Sequence, residues 1–147
     1  MSIFASRSLS NALPNDVCLA NVAVLMCSYN GEAFLAEQLD SIERQSHSGW
    51  TLVISDDGSK DSTSQIFQKY SNRWGSDRLR VVAGPQKGFV ANFLSLTCRA
   101  DIQADYFAWC DQDDIWNEDK LQVAIEWLQT QPSDVPALYC GRTQLVS

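Results

Sequence analysis

The sequence lacks the features that mark several large functional classes. It has a single histidine, His47, in 147 residues, and its five cysteines include no Cys-x-x-Cys pair, so the close ligand pairs of a zinc site are absent. No apolar run reaches the length of about eighteen residues that a membrane-spanning helix needs. The glycine patterns of dinucleotide-binding and P-loop proteins do not occur either. We predict that His47, in the loop 45–49, is solvated rather than catalytic.

Basic residues are also scarce. The chain has eleven lysines and arginines and eighteen acidic residues, which gives a formal net charge of −7. This charge disfavours a general nucleic-acid binder. An acidic protein that binds a phosphorylated ligand needs a cation between the two, so the composition already points to a metal. Most of the cysteines lie in or beside apolar runs, and we predict reduced, buried thiols in a cytoplasmic protein.

The N-terminal stretch differs from the rest of the chain. Residues 1–20 contain no lysine and no continuous apolar core, so they make a poor signal peptide, and we predict a flexible leader. Residues 21–147 are predicted to form one domain. No internal repeat or interdomain linker interrupts that range.

Apolar runs alternate with helical spacing from residue 22 onward. The predicted strands are Val22–Cys27, Trp50–Ser55, Leu79–Val82, Tyr106–Cys110 and a fifth that starts at Ala137. The spacing of apolar residues also predicts four helices. Their apolar positions are, in order, Leu35, Leu39 and Ile42; Ile66, Phe67 and Tyr70; the segment from Phe89 to Thr97; and Leu121, Ile125 and Leu128. This order predicts an α/β fold with a mainly parallel sheet, whose strands present their carboxyl ends at one ligand-binding edge.

An acidic segment, Asp111-Gln112-Asp113-Asp114, follows the fourth strand. Its carboxylates repel one another, and a divalent cation such as Mg²⁺ or Mn²⁺ relieves that repulsion while keeping positions open for substrate phosphates. The alternative is a helix N-terminus carrying capping acids. Trp116, just beyond the acids, is a candidate wall of the site.

A second acidic turn, Asp56-Asp57-Gly58-Ser59, follows the second strand. Such a sequence is common in ordinary turns. Its functional interpretation is a carboxylate that accepts the imide N–H of a pyrimidine base, with Tyr29 offering an aromatic face to that base. Simple packing of Tyr29 is the alternative.

Three segments in succession resemble family 2 glycosyltransferases, which are inverting enzymes of the GT-A fold. They are 24–31 (VLMCSYNG), 55–62 (SDDGSKDS) and 111–116 (DQDDIW), and the segments 39–45, 87–93 and 119–121 add to the match. The resemblance spans about residues 20 to 146, and the subgroup that it favours is the rhamnosyltransferase-like one of bacterial O-antigen and other surface polysaccharides.

The resemblance implies a GT-A (Rossmann-like) α/β sandwich that is truncated on its C-terminal side, with residues 21–147 as the nucleotide-sugar-binding part. The implied activity is metal-dependent, inverting transfer of a sugar to a saccharide or lipid-linked saccharide acceptor. The best donor candidate is dTDP-rhamnose, and otherwise a UDP-sugar. A lipid-linked acceptor leaves open a peripheral position at the inner membrane face.

The resemblance also places roles on residues of this chain. Tyr29 would stack near the base, Asp57 would accept its N3–H, and Asp111 would contact the ribose or phosphate side. Asp113, together with Asp111, would hold Mg²⁺ or Mn²⁺. Further donor-binding candidates are Asn30, Glu32, Lys87 and Asn92, with Asp114 nearby. Glu32 also falls in the first turn predicted for the first helix.

No general base is predicted in this chain. The acids beyond Asp114 are Glu118, Asp119, Glu126 and Asp134, and they lie mostly on or beside a helix that leads away from the strand edge. A non-catalytic nucleotide-sugar-binding fragment is therefore the alternative function. A phospho-receiver domain fits less well, because Tyr139-Cys140-Gly141 stands where it would need a lysine. Truncation would also expose an edge strand and favour self-association.

Overall fold

The computed structural model describes residues 2–5 and 19–142, and a six-stranded sheet organises them. The strands are β1 (Ser2–Ala5), β2 (Val22–Ser28), β3 (Trp50–Asp56), β4 (Leu79–Ala83), β5 (Tyr106–Asp111) and β6 (Leu138–Cys140). The helices are α1 (Leu35–Glu43), α2 (Thr63–Trp74), α3 (Phe89–Thr97) and α4 (Lys120–Gln129). The strand order is β4-β3-β2-β5-β1-β6, and β4, β3, β2 and β5 are parallel. The predicted alternation and the mainly parallel sheet are confirmed.

The sheet is covered on both faces, which explains why β2 is an unbroken apolar run. All seven residues of β2 are buried. Val22, Val24 and Met26 join the larger core cluster with α1, α2 and α4, whereas Ala23 and Leu25 join a smaller cluster that includes Leu96 of α3. Successive side chains of a strand point to opposite faces, so one strand supplies both cores.

Four residues of the predicted leader form a strand instead. β1 pairs antiparallel with β5 on one side and with β6 on the other, where a flexible leader was expected. The physical reason is that β5 would otherwise present unpaired backbone groups at an edge, and β1 satisfies them. β1 thus covers the side of β5 within the chain, and the structure does not support the expected self-association. Residues 6–18 of that expected leader lie outside the described residues.

Three further expectations need correction. His47 is only 3% exposed, and its Nε2 lies 2.7 Å from the carbonyl oxygen of Ala20, which can only accept; the ring is a buried donor rather than a solvated one. Trp116 is 4% exposed and belongs to the larger core cluster, so it does not wall the cleft described below. Glu32 precedes α1, which begins at Leu35.

The cysteines divide into two groups. Cys27 and Cys110 are buried as predicted, whereas Cys98 and Cys140 are exposed, and Cys18 lies outside the described residues. The outer side of α3 is another exception to the burial pattern, because Phe89, Val90 and Leu94 keep the predicted helical spacing but are exposed. Among the described residues, no helix combines the length and apolar character needed to cross a membrane.

Candidate functional site

A cleft of about 500 Å³ opens at the carboxyl ends of β2, β3 and β5. The sequence-predicted residues that line it are Tyr29, Asp57, Asn92, Asp111 and Asp113. The residues lining it that the sequence did not single out include Lys60, Gln86, Phe93 and Gln112. The topology brings these segments together because the parallel strands end at one edge. Asn30, Glu32, Lys87 and Asp114 are not among the lining residues.

Asn30 and Glu32 join two loops instead. The Asn30 side-chain oxygen accepts the Lys60 N–H at 2.8 Å, and a Glu32 carboxylate oxygen accepts the Ser62 N–H at 2.8 Å. In return, the N–H of Asn30 donates to the Ser59 hydroxyl at 2.8 Å. The turn after β2 is therefore fastened to the turn after β3, and this fastening fixes Tyr29 relative to Asp57.

The Asp57 carboxylate is positioned by backbone donors. One oxygen accepts the Gln86 N–H at 2.5 Å and the other accepts the Gly88 N–H at 3.1 Å. Both donors belong to the segment between β4 and α3, where Gln86 and Gly88 have φ values of 56° and 84°. A carboxylate has about four lone-pair positions, so Asp57 can accept a further hydrogen bond from the cleft.

Asn92 lies in the cleft wall, but its amide is engaged within the fold. Its side-chain oxygen accepts the Ser55 hydroxyl at 2.5 Å, and its side-chain NH₂ donates to the Ser55 carbonyl at 3.0 Å. The residue is 2% exposed. The amide thus ties α3 to the end of β3, which supports the cleft from behind.

Asn92→Ala is expected to destabilise the fold by about 1–3 kcal/mol, because it leaves buried polar groups of Ser55 without partners. Urea unfolding followed by tryptophan fluorescence measures the free energy of unfolding. The matched control is Asn72→Ala on the exposed side of α2, which should change that energy by less than about 0.5 kcal/mol. Equal stabilities for the two variants would contradict the supporting role of Asn92.

Asp111, the last residue of β5, and Asp113, in the turn that follows, lie on the cleft wall. Partial burial raises the pKa of the Asp111 carboxyl above its ordinary value, and the charges of Asp114 and Asp113 raise that pKa further. Within residues 2–5 and 19–142, no group of three or more metal-ligating side chains is already assembled. A cation such as Mg²⁺ usually takes one or two protein carboxylates and completes its shell with water and substrate phosphates, so the pair fits such an ion.

The raised pKa of Asp111 predicts a pH-dependent cost to stability. Folded Asp111 holds its proton at a pH where the unfolded chain has released it, so stability falls as the pH rises from the ordinary aspartate range through the raised pKa. We expect Asp111→Asn to melt a few degrees higher than the wild type at neutral pH, with a smaller difference at acidic pH. Thermal melts between about pH 3 and pH 8 test this expectation. A variant that melts lower than the wild type at neutral pH would contradict it.

Cys27 is a nucleophilic side chain that lines the cleft, and the structure keeps its thiol neutral. Burial raises the pKa of its thiol to about 12, and the charges of Asp111 and Asp57 contribute to the same shift. A thiolate is the reactive form of cysteine, so covalent catalysis by Cys27 is disfavoured. The acids beyond Asp114 (Glu118, Asp119, Glu126 and Asp134) are exposed, and none of them lines the cleft.

The amino-acid sequence of this chain is similar to those of known proteins. Residues 23–142 match the family model described as glycosyl transferase family 2. The chain is 36% identical over 130 residues to the dTDP-rhamnosyl transferase RfbG of Shigella flexneri, covering 82% of this chain and 45% of that protein. It is 32% identical over 107 residues to the putative teichuronic acid biosynthesis glycosyltransferase TuaG of Bacillus subtilis, covering 73% and 41%. The chain therefore spans less than half the length of these two relatives.

Two solved structures have a fold similar to that of this chain. The S. aureus TarS 1–349 structure in complex with UDP-GlcNAc superposes with a TM-score of 0.60 at 26% identity, covering 74% of this chain and 31% of that chain. The mannosyltransferase PcManGT from Pyrobaculum calidifontis, in complex with GDP-Man and Mn²⁺, gives 0.69 at 21% identity, covering 86% and 37%, and shows the fold alone. These two superpositions confirm the predicted GT-A fold class.

Proposed function

This chain belongs to glycosyl transferase family 2, and from that premise we propose that its cleft binds the nucleoside diphosphate of a sugar donor. One observation carries the proposal: Tyr29, Asp57, Asp111 and Asp113 come from three separate loops and line one cleft. An aromatic face and a fixed acceptor suit a base, and paired carboxylates suit a metal-bound diphosphate.

The proposed donor is dTDP-rhamnose, with a UDP-sugar as the alternative. The relative named as a dTDP-rhamnosyl transferase supports the first, and the neighbour solved with UDP-GlcNAc supports the second. Thymine and uracil present the same imide N–H, so an acceptor such as Asp57 serves both. The proposed acceptor is a saccharide of a bacterial surface polysaccharide, free or lipid-linked, and the proposed location is cytoplasmic.

Asp111 and Asp113 are the residues that would hold Mg²⁺ or Mn²⁺. When bound, such a cation supplies Lewis-acid stabilisation of the charge on the departing diphosphate. The protein's own part is to fix geometry. Tyr29 is 54% exposed and offers its ring to the base, and Asp57 lies fixed by the backbone of 86–88 to accept the imide N–H.

The proposed transfer is a direct displacement with inversion. An acceptor hydroxyl attacks the anomeric carbon, the bond to the diphosphate oxygen breaks, and a carboxylate base takes the hydroxyl proton. No acid in the described part of this chain occupies a position suited to that base. We therefore propose that this chain supplies donor binding, and the alternative is a non-catalytic fragment that binds nucleotide sugars.

Titration calorimetry tests the donor site. The chain is titrated with dTDP, UDP and GDP, each with Mn²⁺ and each with EDTA. We expect dTDP or UDP to bind more tightly in Mn²⁺ than in EDTA, and GDP to bind more weakly than either. A folded chain that binds none of the three would contradict the proposal, and hydrolysis or transfer of a sugar nucleotide by this chain would contradict the non-catalytic alternative.

A further inference from the structure

Gln112 stands between the two acids that face the cleft, and its side chain points back to the turn after β2. Its Oε1 accepts the Ser28 hydroxyl at 2.9 Å and the Tyr29 N–H at 2.9 Å, while its Nε2–H donates to the Tyr29 carbonyl at 3.2 Å. One side-chain amide thus bonds both backbone groups of Tyr29.

These bonds extend the sheet beyond its last backbone pair. The β2–β5 ladder ends at Cys27 and Asp111, one residue before Gln112. Beyond that pair, the Gln112 side chain continues the hydrogen bonding between the two segments, because it donates to and accepts from the facing backbone as a strand residue does. The link joins the loop that carries Tyr29 to the turn that carries Asp111 and Asp113.

The turn after β2 is shaped to admit this amide. A Cβ added to Gly31 would lie 2.5 Å from the Gln112 Oε1 and 3.3 Å from the Ser28 Oγ. A larger residue at 31 would therefore push the amide away from Tyr29. Gln112 is the only uncharged member of the 111–114 segment, so a carboxylate there would lose the N–H donor to the Tyr29 carbonyl and add to the local repulsion.

We propose that Gln112 is a positioning residue, which holds Tyr29 at a fixed distance from Asp111 and Asp113 and thereby sets the span between the base and diphosphate ends of the site. The inference rests on the proposed function and deepens it. Gln112 lines the cleft, but its amide is bonded to Ser28 and Tyr29, so in this role it acts through Tyr29. Replacing Gln112 should therefore change the nucleotide affinity only when the Tyr29 ring is present.

A double-mutant cycle tests this role. The affinities of the wild type, Gln112→Met, Tyr29→Ala and the double variant are measured by calorimetry for dTDP and UDP in Mn²⁺, and again in EDTA. We expect Tyr29→Ala to weaken binding about tenfold, the scale of a lost base–aromatic stack. Gln112→Met should weaken binding about three- to tenfold in the wild-type background, and by less than about twofold in the Tyr29→Ala background.

The controls separate positioning from folding. Gln68→Met, on the exposed side of α2, should bind as the wild type does, and thermal melts establish which variants are folded. If Gln112→Met does not fold, Gln112→Asn replaces it, because the shorter amide cannot reach Tyr29. Losses that add in the double variant, or an unchanged affinity in a folded Gln112 variant, would overturn the inference and leave the donor site standing. A wild-type chain that binds neither nucleotide would overturn the proposed function and this inference with it.

Discussion

Asp113→Asn is expected to weaken Mn²⁺-dependent binding of dTDP or UDP by about a hundredfold. Loss of a group that merely orients a metal ligand costs about 10–100-fold in affinity, and loss of a ligand itself should cost at least the upper end of that range. The neutral amide also removes one of the negative charges that would attract the cation. Binding in EDTA should change little, because the substitution leaves the proposed contacts of Tyr29 and Asp57 with the base in place.

The matched control is Asp77→Asn, which removes the same charge from the exposed turn between α2 and β4. Calorimetry in Mn²⁺ should give the wild-type affinity for this variant. Equal losses in both variants would assign the effect to net charge rather than to a ligand. An Asp113→Asn chain that still binds more tightly in Mn²⁺ than in EDTA, by the wild-type factor, would contradict the metal role of Asp113.

Asp57→Ala is expected to act on both stability and binding. It leaves the N–H groups of Gln86 and Gly88 without their acceptor, so the free energy of unfolding should fall by about 1–3 kcal/mol. Nucleotide affinity should fall about tenfold or more in both Mn²⁺ and EDTA, since the acceptor for the base is lost and the 86–88 segment is released. Urea unfolding and calorimetry measure the two effects.

Asp57→Asn separates these effects. Its amide oxygen still accepts one backbone N–H, so it should recover part of the stability, but its NH₂ group opposes the imide N–H, so binding should stay weak. Asp134→Ala, at an exposed position away from the cleft, is the control for both measurements. Wild-type affinity in a folded Asp57→Asn chain would show that Asp57 organises the loop and does not contact the base.

The elements were predictable because local pattern and burial agree. Each predicted strand from Val22 to Cys110 falls within an observed strand, and the helical spacings mark α1 to α4. β1 was not predictable, because four residues, 2–5, carry too little pattern and gain their order from pairing with β5. The prediction that His47 is solvated was wrong for a related reason. This polar loop residue can be buried because its ring bonds to a carbonyl oxygen 27 positions earlier in the chain.

The cleft was predictable in outline and not in its internal bonding. Strand ends marked Tyr29, Asp57, Asp111 and Asp113, because the topology gathers those ends at one edge. Asn30 and Glu32 bond to the loop after β3, and Asn92 bonds to β3 itself; these three-dimensional contacts are not encoded by spacing. The sequence did contain a signal for Gln112, because an uncharged amide among acids at the end of a strand indicates a role other than charge.

Paramagnetic broadening by Mn²⁺ tests the central claim most directly, namely that this cleft holds a metal-bound nucleoside diphosphate. Amide spectra of the labelled chain are recorded with dTDP or UDP and Mg²⁺, then with traces of Mn²⁺. We predict that amides of residues 111–114 broaden first, and that those of Tyr29 and Asp57 shift on nucleotide binding. The broadening at a given Mn²⁺ concentration should fall sharply in Asp113→Asn. Broadening centred elsewhere, or unaffected by that substitution, would contradict the account.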